Sequence, residues 1–185
     1  MKLLAFAASN SRASINRALV EHAITRLHAG IAPEVAVTTL DLNDYEMPIY
    51  SPEREAEGGI PAVAQDFFAQ IGAADAVLVS FAEHNGFVTA AWKNIFDWMS
   101  RIDGQLWQSK PVVFLAASPG GRAGANVLAS QEKLAPFFGA DLRGTLGIGK
   151  WAEAWDGETL TRPEDFAALD AVLTRLLHSS DTATN

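Results

Sequence analysis

Three short polar segments each follow an apolar run and could bring chemistry to one place. The first, Ser9-Asn10-Ser11-Arg12-Ala13-Ser14, gathers three hydroxyls, the amides of Asn10 and Asn16, and the guanidinium of Arg12 beside a helical pattern starting at Ile15. A helix N-terminus presents unpaired N–H groups and about half a positive charge, so this loop can cradle a terminal phosphate. The run contains no glycine, so it lacks the dinucleotide fingerprint G-x-G-x-x-G, and the pattern G-x-x-x-x-G-K-[ST] is also missing. A mononucleotide is therefore favoured over a dinucleotide as resident ligand. The same residues fit equally well a helix capped by Ser14, with the other polar groups facing water.

The second segment, Glu83-His84-Asn85-Gly86, places a flexible glycine and several polar groups directly after a buried run. The third, Ser118-Pro119-Gly120-Gly121, brings backbone close to the same edge. Each could be an ordinary turn. Ser118 also stands where a hydrolase nucleophile would stand, but position 116 is Ala, so the G-x-S-x-G elbow lacks its first glycine. The only later histidine is His178, and a turn serine is favoured. His22, His28 and His178 fall on helical segments without a second ligand at useful spacing, which predicts surface placement and no metal site.

The elements that must position these segments alternate between short apolar runs and helical stripes. Strands are predicted over Leu3 to Ala8, Val35 to Leu40, Ala76 to Phe81, Pro111 to Ala117 and Leu142 to Ile148. Helices are predicted from Ile15 to a stop at Gly30, from Pro61 through Ile71, around Trp92, Ile95, Phe96 and Met99, and through Val127 to Phe138. A closing helix follows Thr161-Arg162-Pro163-Glu164, which has the spacing of a capping box. Asp41 to Gly59 reads as a long loop, with Glu53 to Glu57 a solvated stretch or a lid. The pattern is that of an α/β fold: a flavodoxin-like, doubly wound, five-stranded parallel sheet with helices on both faces. One domain over 1–185 is expected, with a frayed tail from Ser179 to Asn185. In such sheets the loops after strands one, three and four converge on one crevice beyond the carboxyl ends of the strands. Those are the three polar segments.

Composition narrows the partners. Of 185 residues, 14 are Lys or Arg and 22 are Asp or Glu, giving a net charge of −8, which argues against a nucleic-acid partner. There is no cysteine, which removes disulfides, thiolate nucleophiles and iron–sulfur clusters. The apolar start, Met1 to Ala8, is shorter than most signal-peptide cores and reads as a strand. No stretch approaches the length of a membrane helix, and a cytoplasmic protein without membrane contact is expected.

Three motifs together carry a family resemblance. Ala7 to Arg17, Glu83-His84-Asn85-Gly86 and Trp92-Lys93-Asn94-Ile95-Phe96-Asp97-Trp98 resemble the NAD(P)H-dependent FMN reductase family, which includes quinone, azo-dye and chromate reductases. The similarity runs from about Lys2 to Ile148, and the third motif, similar to the family's L-K-N-A-x-D-W helix, is the most specific. The resemblance implies FMN bound with Ser9, Ser11, Ser14, Ile15 and Asn16 around its phosphate. It implies Glu83, His84, Asn85 and Gly86 beside the isoalloxazine ring, flanked by Ser118, Gly120 and Gly121. It also implies NADPH or NADH as co-substrate, a small-molecule electron acceptor, no catalytic side chain, and a homodimer or homotetramer packed through the Trp92 helix, where Trp98 reads as exposed. Two positions depart from the pattern. The family's G-S-x-R is Ala8-Ser9-Asn10-Ser11, so Arg12 falls one place late, and P-E-Y-N is Ala82-Glu83-His84-Asn85. The alternatives are an electron-carrier flavodoxin without nicotinamide activity and a serine hydrolase using Ser118.

Overall fold

The computed structural model describes residues 1–177. The tail and His178 lie outside the described residues. Five parallel strands form one sheet: β1 (Lys2–Ala8), β2 (Ala36–Leu40), β3 (Ala76–Phe81), β4 (Pro111–Ala117) and β5 (Asp141–Ile148). Their order is β2-β1-β3-β4-β5, the flavodoxin-like order predicted. Among the described residues, seven α-helices accompany them: α1 (Ile15–Arg26), α2 (Pro52–Gly58), α3 (Ala62–Ala73), α4 (Ala90–Ile102), α5 (Ala125–Leu134), α6 (Trp151–Ala154) and α7 (Pro163–Leu177).

The continuous apolar runs form central strands because both of their faces are covered. Successive side chains point to opposite faces. Leu4, Phe6 and Ala8 of β1, with Val77, Val79 and Phe81 of β3, pack under α3, α4 and α5. Leu3 and Ala5, with Ala76 and Leu78, pack under α1, α6 and α7. Trp92 sits at the centre of the first layer, its ring 5.3 Å from Phe6, 5.9 Å from Phe67 and 6.0 Å from Phe81.

Several expectations are corrected. The stretch from Asp41 to Gly59 is not one loop: it holds a 3-10 turn (Leu42–Tyr45) and α2, which Ser51 caps by accepting the Arg54 N–H at 3.3 Å. Glu53 to Glu57 is therefore helical. The helix through Phe138 ends at Leu134 and continues as a 3-10 turn (Ala135–Phe138), because Pro136 cannot donate the next helical bond. No capping box forms before α7. The Thr161 hydroxyl instead donates to the Glu153 carbonyl, and Arg162 pairs with Asp165. Trp98 is 1% exposed rather than a surface residue, because the segment after Tyr45 folds over it and its indole N–H donates to the Pro48 carbonyl at 2.7 Å. The interface argument from Trp98 therefore falls.

His22 is likewise not a surface residue. It is 5% exposed, edge-on to Trp155 and Phe166 at 5.5 and 5.7 Å, with Nε2 lacking a hydrogen-bond partner. The cause is α6 and the residue that follows it, since Trp151 and Trp155 stack at 4.9 Å over the edge of the second core layer. Burial, assisted by the positive charge of Arg26, pushes the imidazole pKa below its ordinary 6.5; Asp170 and Asp156 oppose the shift. As pH falls through 6.5 the unfolded chain takes up a proton that the folded chain resists, so stability is fully present above that pH and lost below it. The melting temperature should fall as pH drops from 6.5, and His22→Phe should flatten that part of the profile. Equal slopes for the two proteins would contradict this.

Candidate functional site

The sheet order reverses between β1 and β3, and a side chain from the first turn of α1 ties that point together. Asn16 is 2% exposed, and its Oδ1 accepts the Ser80 hydroxyl and the Ala117 N–H, both at 2.7 Å. Its Nδ2 donates to the Ala117 carbonyl at 3.1 Å. One carboxamide thus joins the start of α1 to the carboxyl ends of β3 and β4. The Thr89 hydroxyl donates to the Ala8 carbonyl at 3.0 Å and caps α4 by accepting the Trp92 N–H at 3.2 Å, which links the loop after β3 to the end of β1. The strand ends from which the three polar segments leave are therefore bonded into one edge.

The Asn16 carboxamide is committed to these three bonds within the fold. What Asn16 leaves at the Ser9–Ser14 loop is its backbone N–H, which together with that of Ile15 opens α1 and has no partner within the helix. The Ile15 side chain packs into the second core layer. Ser14 caps α1, its Oγ accepting the Arg17 N–H at 3.3 Å. The Oγ of buried Ser9 accepts the Ser11 N–H at 3.2 Å. Capping and ligand binding, alternatives in the sequence, are compatible: each oxygen is used as acceptor, which leaves each hydroxyl proton to be donated. Ser11 and Arg12 are exposed beside them, Arg12 on the wall of an open hollow that Trp151 and Trp155 also line. This donor set, all N–H, O–H and guanidinium, fits a phosphate.

The Glu83 carboxylate is engaged within the fold. Its Oε2 accepts the Val127 N–H at 3.0 Å, supplying a cap to α5, whose own cap residue Gly124 has no side chain. Between His84 and Phe87 two backbone bonds of 2.8 and 3.1 Å close a tight turn, with φ of +54° at Asn85 and +82° at Gly86. Positive φ at both central residues is the requirement of a type I′ turn, which Asn-Gly meets at least cost. His84 and Asn85 are exposed there.

Across the edge, the Ser118 hydroxyl donates to the Gly120 carbonyl at 2.9 Å, as a turn serine does. Lys150 N–H donates to the Gly120 carbonyl and Trp151 N–H to the Ser118 carbonyl. Gly120 and Gly121 are exposed. Gly147 of β5 has a specific reason: a Cβ there would lie 2.2 Å from the Ala123 carbonyl oxygen. Ser80 and Thr89 were missed, although a serine inside the apolar run of β3 already requires a partner.

Fold and site together define a flavodoxin-like protein whose structural neighbours are flavoprotein reductases. The flavoenzyme NAD(P)H:(acceptor) oxidoreductase FerB from Paracoccus denitrificans superposes with a TM-score of 0.75 at 23% identity, covering 95% of this chain and 94% of that one. An FMN-dependent NADH-azoreductase from Bacillus anthracis, solved in complex with FMN, gives 0.69 at 13% identity, covering 96% and 100%. Residues 1–152 match the NADPH-dependent FMN reductase family, and the chain belongs to it. A quinone reductase of Escherichia coli (strain K12) is 30% identical over 112 residues, 58% of this chain and 60% of that protein. An NAD(P)H-dependent FMN reductase of Pseudomonas aeruginosa is 35% identical over 120 residues, 65% and 61%. The chain thus spans less than two thirds of the length of these curated relatives.

Replacing Asn16 by Ala leaves the Ser80 hydroxyl and both backbone groups of Ala117 buried without partners. The expected cost is about 2–4 kcal/mol, or roughly 5–15 °C in melting temperature. Asn16→Asp should not rescue it, since a carboxylate cannot donate to the Ala117 carbonyl. A thermal melt within a degree or two of the parent's would overturn the assignment.

Proposed function

We propose that this chain binds FMN at the β1/β3 edge and oxidises NADPH or NADH while reducing a small acceptor such as a quinone, azo compound or flavin. The observation that carries the reading is the α1 cradle, in which Ser9 and Ser14 keep hydroxyl protons to donate beside the first-turn N–H groups of Ile15 and Asn16. The helix dipole adds positive potential where the phosphate charge would sit. Ser11 and Arg12 complete the set. In an acidic chain of net charge −8, such a local donor cluster is needed to draw in a dianion.

When bound, FMN supplies two-electron chemistry, accepting hydride from a reduced nicotinamide and passing electrons to the acceptor. The protein's part is to hold and orient. The His84–Phe87 turn and the Ser118–Gly121 loop present backbone to the ring from two sides, with His84, Asn85, Gly86, Ser118, Gly120 and Gly121 as the bordering residues. Glu83 acts indirectly, fixing the turn to α5. No side chain is assigned as acid or base. The net reaction with a quinone consumes NAD(P)H, one proton from solvent and the quinone, and yields NAD(P)+ and hydroquinone.

A turn bond at Ser118 gives the hydrolase alternative no support, and the names of the relatives favour an enzyme over a flavodoxin carrier. Among the described residues no helix is long and apolar enough to cross a membrane. A cytoplasmic setting, where reduced nicotinamides are made, fits the reading. Association into a homodimer or homotetramer is retained, with Phe137, 71% exposed, as the apolar side chain assigned to the contact. Light scattering should give a multiple of the 19.8 kDa chain, and Phe137→Asp should lower it.

The cradle is tested by Ser14→Asp. Asp caps a helix as well as Ser, so the fold should persist, but its charge opposes a phosphate. FMN affinity measured by titration should fall about tenfold or more at a nearly unchanged melting temperature. Unaltered affinity would remove the phosphate from this site.

A further inference from the structure

The turn after β3 can carry out a reaction on itself. The backbone nitrogen that follows an asparagine is a nucleophile within reach of that residue's carboxamide carbon, and attack closes a succinimide ring without any enzyme. The reaction needs a carboxamide open to water, an attacking N–H with no hydrogen-bond acceptor, and little crowding from the side chain of the attacking residue. Among the described residues Asn85 alone precedes a glycine, and it is exposed. Neither its carboxamide nor the Gly86 N–H has a hydrogen-bond partner among those residues. At the other asparagines the following N–H is engaged. Ser11 N–H donates to Ser9 Oγ, Arg17 N–H to Ser14 Oγ, Asp44 N–H to the Asp41 carbonyl and Val127 N–H to the Glu83 carboxylate, while Ile95 lies inside α4. The carboxamides of Asn16, Asn43 and Asn94 are bonded as well.

Ring closure requires the peptide group between Asn85 and Gly86 to rotate, so the two backbone bonds between His84 and Phe87 must break first. They close an exposed tip: His84, Asn85 and Phe87 face water, while Glu83 and Thr89 anchor the two ends. Opening is therefore local and leaves the sheet intact. It also releases Asn85 from a positive φ that a residue with a side chain adopts at a cost. In the open turn the Gly86 nitrogen, losing its proton to hydroxide, bonds to the Asn85 Cγ and expels ammonia. Water then opens the succinimide at one of its two carbonyls and leaves aspartate or isoaspartate at position 85. The sum is asparagine plus water to acid plus ammonia, with no oxidant or reductant. Aspartate suits the same turn, since Asp-Gly tolerates positive φ at both places. Isoaspartate routes the chain through Cβ, lengthens the turn and cannot restore both bonds.

We propose that Asn85 is a site of spontaneous deamidation, and that a flavin seated against the turn guards it by holding the turn closed. The guarding rests on the FMN reading above; the deamidation does not.

The test incubates the full chain in mildly alkaline buffer, well below its melting temperature, with and without FMN. Position 85 is followed by peptide mass mapping, which reads the exchange of NH2 for OH, and by isoaspartyl methylation. In flavin-free protein the exchange should appear at position 85 ahead of every other asparagine within 1–177 and quicken as pH rises. With FMN at about ten times its measured dissociation constant, the reaction at position 85 should slow about tenfold, because only the flavin-free fraction can open. A position 85 that stays intact, or conversion led by Asn10 or Asn43, would overturn the site. Equal rates with and without bound FMN would overturn the guarding. A protein that converts at position 85 yet takes up no FMN would keep the site and remove both the guarding and the cofactor reading.

Discussion

The carboxamide of Asn16 is the contact on which the rest of the site depends. A parallel sheet ends its strands in a row of loops that have no reason of their own to stay together. Here a buried amide on the first turn of α1 satisfies the end of β4 through Ala117 and the end of β3 through Ser80. Because each of those groups is cut off from water, separating them leaves unpaired polar atoms in a dry place, a far larger penalty than the net gain of a surface hydrogen bond. The helix N-terminus is thereby fixed over the point where strand order reverses. Thr89 and Glu83 repeat the device, each tying one loop to the element that carries the next.

Once α1 is fixed, its chemistry follows from what the local bonds leave over. Ser9 and Ser14 both accept backbone N–H groups, so each ties down part of the loop and still has a hydroxyl proton to give. Preorganisation of this kind reduces the ordering cost of binding. The opposite wall is held similarly, by Lys150 and Trp151 bonding to the Ser118–Gly121 loop and by a β5 glycine that lets Ala123 approach. The side chains surrounding the site mostly hold backbone in place, which is why a flavodoxin-like fold can leave the electron chemistry to its cofactor.

The fold was legible because it is written in periodicities. Runs such as Ala76 to Phe81 and Pro111 to Ala117 match their strands to the residue, since burial on both faces demands unbroken apolar sequence. The three loops were legible from polarity at strand ends. Individual side-chain directions were not. Asn16 lies next to the Ser9–Ser14 loop in sequence, yet its amide bonds Ser80 and Ala117, and nothing in a linear pattern says which neighbour a carboxamide will choose. His22 and Trp98 look external on a helical wheel because the wheel contains only their own helix. His22 is covered by Trp155 and by Phe166 of α7, and Trp98 by residues 46–51, all of them distant in sequence. Ser80 was detectable in principle as a hydroxyl inside an apolar strand, but its partner lies 64 residues away.

The central claim is that this edge holds FMN and that a reduced nicotinamide can reach it. The most direct measurement is a visible absorption spectrum of protein incubated with FMN and desalted, recorded before and after anaerobic NADPH and, separately, NADH. The account predicts a retained flavin spectrum that bleaches with at least one of the two. A protein that emerges colourless, or whose flavin stays oxidised with both, would contradict it.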